Sequence, residues 1–118
     1  MAVQMKRIYE DKSADDGKRI LVDRIWPRGI SKDDADLDEW FKEVAPSKEL
    51  RQWFNHEEGK FPEFKKKYRK ELQDGSQKKA YDQLKEIQKN NEVITLLYGA
   101  KNEIHNQAVV LKEMLEGN

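Results

Sequence analysis

Arg19-Ile20-Leu21-Val22-Asp23-Arg24-Ile25-Trp26-Pro27-Arg28-Gly29 is the stretch whose reading decides the fold. Ile20, Leu21 and Val22 form an unbroken aliphatic run, the pattern of a strand covered on both faces rather than one with a wet side. Asp23 and Arg24 end that run, and Pro27 and Gly29 stop the backbone pattern. A carboxylate and a guanidinium at the end of a buried strand must be paired, hydrogen-bonded or reserved for a ligand, because unpaired burial of either is costly. A second run, Val93-Ile94-Thr95-Leu96-Leu97-Tyr98, closes in the same manner at Gly99-Ala100-Lys101-Asn102. Two covered strands, each followed by a loop and a helix, predict an α/β fold: a small, largely parallel sheet of three or four strands covered by about five helices. The long helical crossover between them makes these two strands parallel and adjacent or nearly so.

Working outward, Lys6–Glu10 reads as a short first strand whose direction the spacing leaves open, since its connection is shorter than the usual parallel crossover. Residues 11–18 form a polar loop ending in the turn signal Asp16-Gly17. Asp11, Ser13 and Asp15 have the spacing of a calcium loop, but the glycine and the terminal glutamate are out of place, and a solvated turn is the better reading. Leu37, Trp40, Phe41 and Val44 fall on one helical face and predict a helix over 37–44. Ala45-Pro46-Ser47 ends it and caps the next, which carries Leu50, Trp53 and Phe54 inward and His56 at its end. A third helix starts at Phe61 with Pro62 in its first turn, and Phe64, Tyr68 and Leu72 continue its apolar face. A fourth carries Ala80, Leu84 and Ile87, and Asn102 is placed to cap a last helix bearing Ile104, Ala108, Leu111 and Leu115.

At 118 residues the chain is expected to form a single domain, 1–118. Lys plus Arg and Asp plus Glu are equal at 23 each, which argues against the basic footprint of a dedicated nucleic-acid binder. With no cysteine, thiolate catalysis, disulfides and cysteine-ligated metals are excluded. The start, Met1 to Lys6, has no apolar secretory segment and no run reaches membrane-spanning length, so a soluble cytoplasmic domain with no membrane partner is expected.

In open parallel sheets ligands bind beyond the carboxyl ends of the strands. That places Asp23, Arg24, Trp26 and Arg28 on one side of a crevice and Tyr98, Lys101, Asn102, His105 and Asn106 on the other. These residue types suit an anion: Arg28 can fork onto a phosphate or carboxylate, Lys101 adds a point charge, and free amides at the start of the last helix favour negative charge. His105, with Asp23 or Tyr98 in reach, is the candidate acid or base. Each has a bland alternative: Asp23 and Arg24 as an ion network, Trp26 as core, Lys101 and His105 as a solvated helix start. A metal site would need His56, His105 and carboxylates to converge, which two histidines far apart in sequence make a remote option; no metal ligand is assigned and the cofactor is left open.

The chain resembles the YeaO-like family, small bacterial proteins within a group classed as a domain of unknown function. The resemblance rests on Leu21 to Gly29, on Ala45-Pro46-Ser47 with Leu50-Arg51, Trp53-Phe54 and His56, on Phe64 with Tyr68-Arg69 and Glu71-Leu72, and on Leu96 to Lys101 with His105-Asn106. The longer relatives place cysteines near the last loop, where this chain has Tyr98 and His105. The resemblance implies that the signature residues gather at the two strand ends. The leading expectation is binding of a small anionic ligand there, with hydrolase or transferase chemistry through His105 as its extension. The alternative is a non-enzymatic interaction module that presents residues 40–70 to a protein or nucleic acid. A homodimer sharing apolar helix faces is a third arrangement.

Overall fold

Four parallel strands form one sheet in the order β1-β4-β2-β3, where β1 is Ala2–Arg7, β2 Lys18–Leu21, β3 Glu39–Trp40 and β4 Val93–Tyr98. Five α-helices accompany it: α1 Lys32–Ala35, α2 Lys48–Phe54, α3 Phe61–Glu71, α4 Gly75–Asn90 and α5 Gln107–Gly117. The computed structural model describes residues 2–117; residues 1 and 118, the ends of the expected domain, lie outside the described residues. The α/β architecture and the parallel pairing of β2 with β4 are as the two apolar runs require.

Alternation along the two central strands splits the interior into two layers. Ile20 of one strand and Val22 just beyond its end, with Ile94, Leu96 and Tyr98 of the other, enter a large core that Leu50, Phe54, Phe64, Tyr68, Leu84 and Leu111 complete from α2 to α5. Leu21 and Leu97 point the other way, into a smaller cluster with Ile8 and Ala35, covered by Trp26, Ile30, Leu37 and Trp40. Both faces are therefore closed, the reason these strands show no polar alternation. The second face also holds an ionic cluster: Arg19, 1% exposed, donates to Asp16 and to the Ala35 and Asp36 carbonyls, and Lys6 bridges to Asp16 at 2.8 Å.

Three expectations need correction. The first strand is Ala2–Arg7 rather than Lys6–Glu10, and it is parallel to β4. Its polar Gln4 and Lys6 hide the periodicity, while Tyr9 and Glu10 lie in a turn closed by Glu10 N on the Arg7 carbonyl at 3.0 Å. The helix over 37–44 does not form: β3 and a 3-10 turn, Lys42–Val44, occupy that stretch. Leu37 and Trp40 join the smaller cluster, whereas Phe41 and Val44 join the larger, so what reads as one helical face is a chain crossing the sheet edge. Finally, Asn102 does not cap α5. Its Oδ1 closes a turn on Ile104 N and His105 N, each at 2.9 Å, and Asn106 caps the helix by accepting from Val109 N at 3.1 Å. Among the described residues, no helix is long and apolar enough to cross a membrane.

Candidate functional site

Because β2 and β4 are neighbours, the segments leaving their carboxyl ends meet. Asp23 ties them: its Oδ2 accepts from Gly99 N at 2.9 Å, its Oδ1 accepts from the Gln107 side-chain amide, and its carbonyl accepts from Trp40 Nε1 at 2.7 Å. A β-carbon on residue 99 would stand 3.0 Å from Asp23 Oδ2 and 3.2 Å from Pro27 Cβ, so a side chain there would have to push one of them aside by a few tenths of an ångström. Between these segments and α2 opens a hollow of about 540 Å³.

Six of the nine residues expected at a site line this hollow: Asp23, Arg24, Trp26, Arg28, His105 and Asn106. Arg24 spans to the turn before α2, donating through Nε to the Pro46 carbonyl at 3.1 Å and through Nη2 to the Ala45 carbonyl at 2.9 Å. Both acceptors are neutral carbonyls. Trp26 is half core: its Nε1 donates to the Ile30 carbonyl at 2.8 Å and its ring meets Trp40 edge-on at 5.3 Å. Arg28 is exposed at the mouth, its carbonyl accepting from the Tyr9 hydroxyl at 2.7 Å. His105 packs its ring 4.8 Å from Phe61 and sets Nδ1 3.0 Å from Glu58 Oε1. Asn106 is buried, donating to the Asn102 carbonyl at 2.8 Å.

Tyr98, Lys101 and Asn102 do not line the hollow. Tyr98 is buried in the larger core, and burial pushes its phenol above the ordinary range, which suits a neutral hydroxyl rather than a base. Lys101 is exposed on the loop, and Asn102 serves the turn and donates to Glu58 at 2.9 Å. Asn102 takes up the Ile104 and His105 amides and Asn106 the Val109 amide.

Two lining residues absent from the sequence-derived set come from the end of α2. Arg51 reaches the hollow, and its Nε is buried without a hydrogen-bond partner. His56 follows Asn55; both adopt left-handed backbone (φ 56° and 46°), which turns the chain out of the helix and toward the hollow. Both stand inside the quoted signature, next to Leu50 and Phe54; that proximity to the apolar face was the available signal. Gln107 was reached by no sequence pattern.

Electrostatically, burial is the largest influence on Asp23 and raises its carboxyl to about 6, against the opposing pull of Gly99 N, Gln107 and the Arg51 charge. Glu58 is held below the ordinary carboxylate range by its hydrogen bonds from Asn102 and His105.

These features define a small α/β protein with a cation-lined hollow at the carboxyl edge of a parallel sheet. The chain belongs to the DUF488-N3i family, described as the inactive DUF488-N3 subclade, whose model matches residues 2–118. It is 46% identical over 115 residues to the uncharacterised protein YeaO of Escherichia coli strain K12, covering 98% of this chain and 97% of the relative. Uncharacterised proteins Rv3073c of Mycobacterium tuberculosis H37Rv and Mb3100c of Mycobacterium bovis are each 43% identical over 115 residues, with 98% and 94% covered. No solved structure matches the chain significantly.

Proposed function

We propose that the hollow binds a small molecule bearing a phosphate or carboxylate group and holds it without turning it over. One observation carries this reading. Arg24, Arg28 and Arg51 line a single hollow with one carboxylate, Asp23, and none of the three forms a salt bridge among the described residues. Other basic side chains are paired, as in Arg19–Asp16, Lys65–Glu113 and Lys78–Asp82, or stand singly on the surface, as Lys101 does; the three arginines instead converge on one concavity. In a chain with 23 charges of each sign, three guanidiniums against one carboxylate around one concavity form a local excess of positive potential, and guanidinium is the group that forks onto oxyanions.

Binding is favoured over turnover because serine, threonine and cysteine are absent from the lining residues. Ser47, the nearest serine in the chain to Arg51, is committed to Leu50 N and Glu71. His105 and Asp23 supply acid–base capacity without a hydroxyl or thiol nucleophile beside them, and the family's description as inactive favours binding. The interaction-module reading has less support, since Lys65 and Arg69 are both engaged by Glu113 and Lys67 by Glu63.

Titrating the protein with inorganic phosphate and sulfate while following its melting temperature tests the proposal. The wild type is expected to be stabilised. Arg28→Ala and Arg51→Gln should lose at least about tenfold in affinity, given what one charge-assisted contact contributes, whereas Lys101→Ala should keep it. An unresponsive wild type refutes anion binding, and release of phenol from phenyl phosphate refutes the absence of turnover.

A further inference from the structure

We infer that the natural ligand carries an apolar, ring-sized body beside its oxyanion, seated at the mouth of the hollow against Tyr9 and Ile25. The inference rests on the anion reading and extends it to substrate class. Among the described residues, the exposed large hydrophobic side chains are Tyr9 (42%), Ile25 (60%) and Ile104 (70%). Two of them line the hollow, and the third precedes His105, which also does. On a chain whose residues are 39% charged, this gathering of exposed apolar surface around one concavity is the mark of a binding groove.

The wall is also held in place. Tyr9 donates its hydroxyl to the Arg28 carbonyl at 2.7 Å, and the Arg7 guanidinium lies over its ring at 4.8 Å. Arg7 is itself fixed to the carbonyls of Ala100 at 2.9 Å and Gly99 at 3.2 Å. An exposed aromatic ring braced from both strand ends loses little freedom when covered, which is how a preformed subsite differs from an incidental surface tyrosine. Size agrees. A hollow of about 540 Å³ lies within the range of pockets that enclose drug-sized ligands, and a bare phosphate or acetate leaves most of it wet.

Calorimetric titrations of the wild-type chain with two matched pairs, inorganic phosphate against phenyl phosphate and acetate against benzoate, test this. The ring should tighten binding by at least about tenfold within each pair, the order expected for covering one phenyl group. Ile25→Ser removes an apolar group that lies outside both cores, and should cut that preference by about threefold or more while affinity for inorganic phosphate and melting temperature stay unchanged. Equal affinity within each pair overturns the ring subsite and leaves the anion site standing. Failure of all four probes to bind refutes the anion reading itself.

Discussion

Asp23 is the residue on which the fold and the hollow both depend. It is a half-buried carboxylate whose partners are an amide N–H, a glutamine side chain and a nearby arginine charge, and burial outweighs them to set its pKa at about 6. Since the folded value lies above the ordinary 3.8, the native state binds the extra proton between those values. Stability contributed by the neutral carboxyl is full below pH 3.8 and is lost as pH rises through 6. Asp23→Asn, with Gln107 reoriented to accept, should therefore stabilise the protein by about 1 kcal/mol at pH 8, a figure discounted for partial exposure, and by almost nothing at pH 4.5. Chemical denaturation at the two pH values checks this, and a uniform loss at both would make Asp23 an ordinary structural acceptor. Gly99→Ala puts a β-carbon against Asp23 Oδ2 and Pro27, and should cost about 1–3 kcal/mol in the same assay. At this scale the sequence was informative where chemistry is unusual, since an Asp-Arg pair ending a covered strand announces itself. It was silent on Gln107 and weak on Arg51, because their importance lies in what faces them across the sheet end.

Elements were legible where one face of one helix meets one core. Phe61, Phe64 and Tyr68 repeat every three or four residues and are buried in α3 as their spacing demands, and Ala80 and Leu84 do the same in α4. The reading failed where a segment serves two cores. Leu37, Trp40, Phe41 and Val44 carry helical spacing, yet the ladder bonds Asp38 N to the Arg19 carbonyl and Phe41 N to the Leu21 carbonyl, both 2.9 Å, hold the chain as a sheet edge. Tertiary pairing overrides local periodicity here. The start of α5 is a second such case, since two asparagines four residues apart are equivalent caps on paper, and only Asn106 is buried, donating to the Asn102 carbonyl and accepting from Val109 N. Asn106→Ala should lower stability by about 2–3 kcal/mol, combining a lost cap with stranded buried groups, while Asn102→Ala, in a partly exposed turn, should cost less than about 1 kcal/mol. Urea denaturation of the two variants separates them, and equal losses would return the capping role to Asn102.

For the molecule as a whole, the consequence of this architecture is that the charge balance is local in one place and broken in another. Ion pairs engage Lys67 of α3, Lys78 of α4 and the ionic cluster under the second face, whereas the carboxyl edge of the sheet gathers Arg24, Arg28 and Arg51 around a single carboxylate. That carboxylate changes charge near neutrality, so the hollow's potential is itself a function of pH. Below pH 6 Asp23 is neutral and the arginines act on a bound anion without opposition; above it one negative charge sits beside the ligand. Anion affinity should rise as pH falls from 7.5 to 5.5, by up to about tenfold for one neighbouring charge at the effective dielectric of a partly exposed site. Phenyl sulfate is the suitable probe, because its own charge is constant over that interval, and Arg24, Arg28 and Arg51 keep theirs. His56 and His105 also line the hollow, so the wild-type trend alone does not isolate Asp23. The contrast with Asp23→Asn does: the variant should bind more tightly than the wild type at pH 7.5 and should show a flatter profile. Parallel profiles for the two proteins would assign the pH dependence to the histidines and remove Asp23 from control of the site.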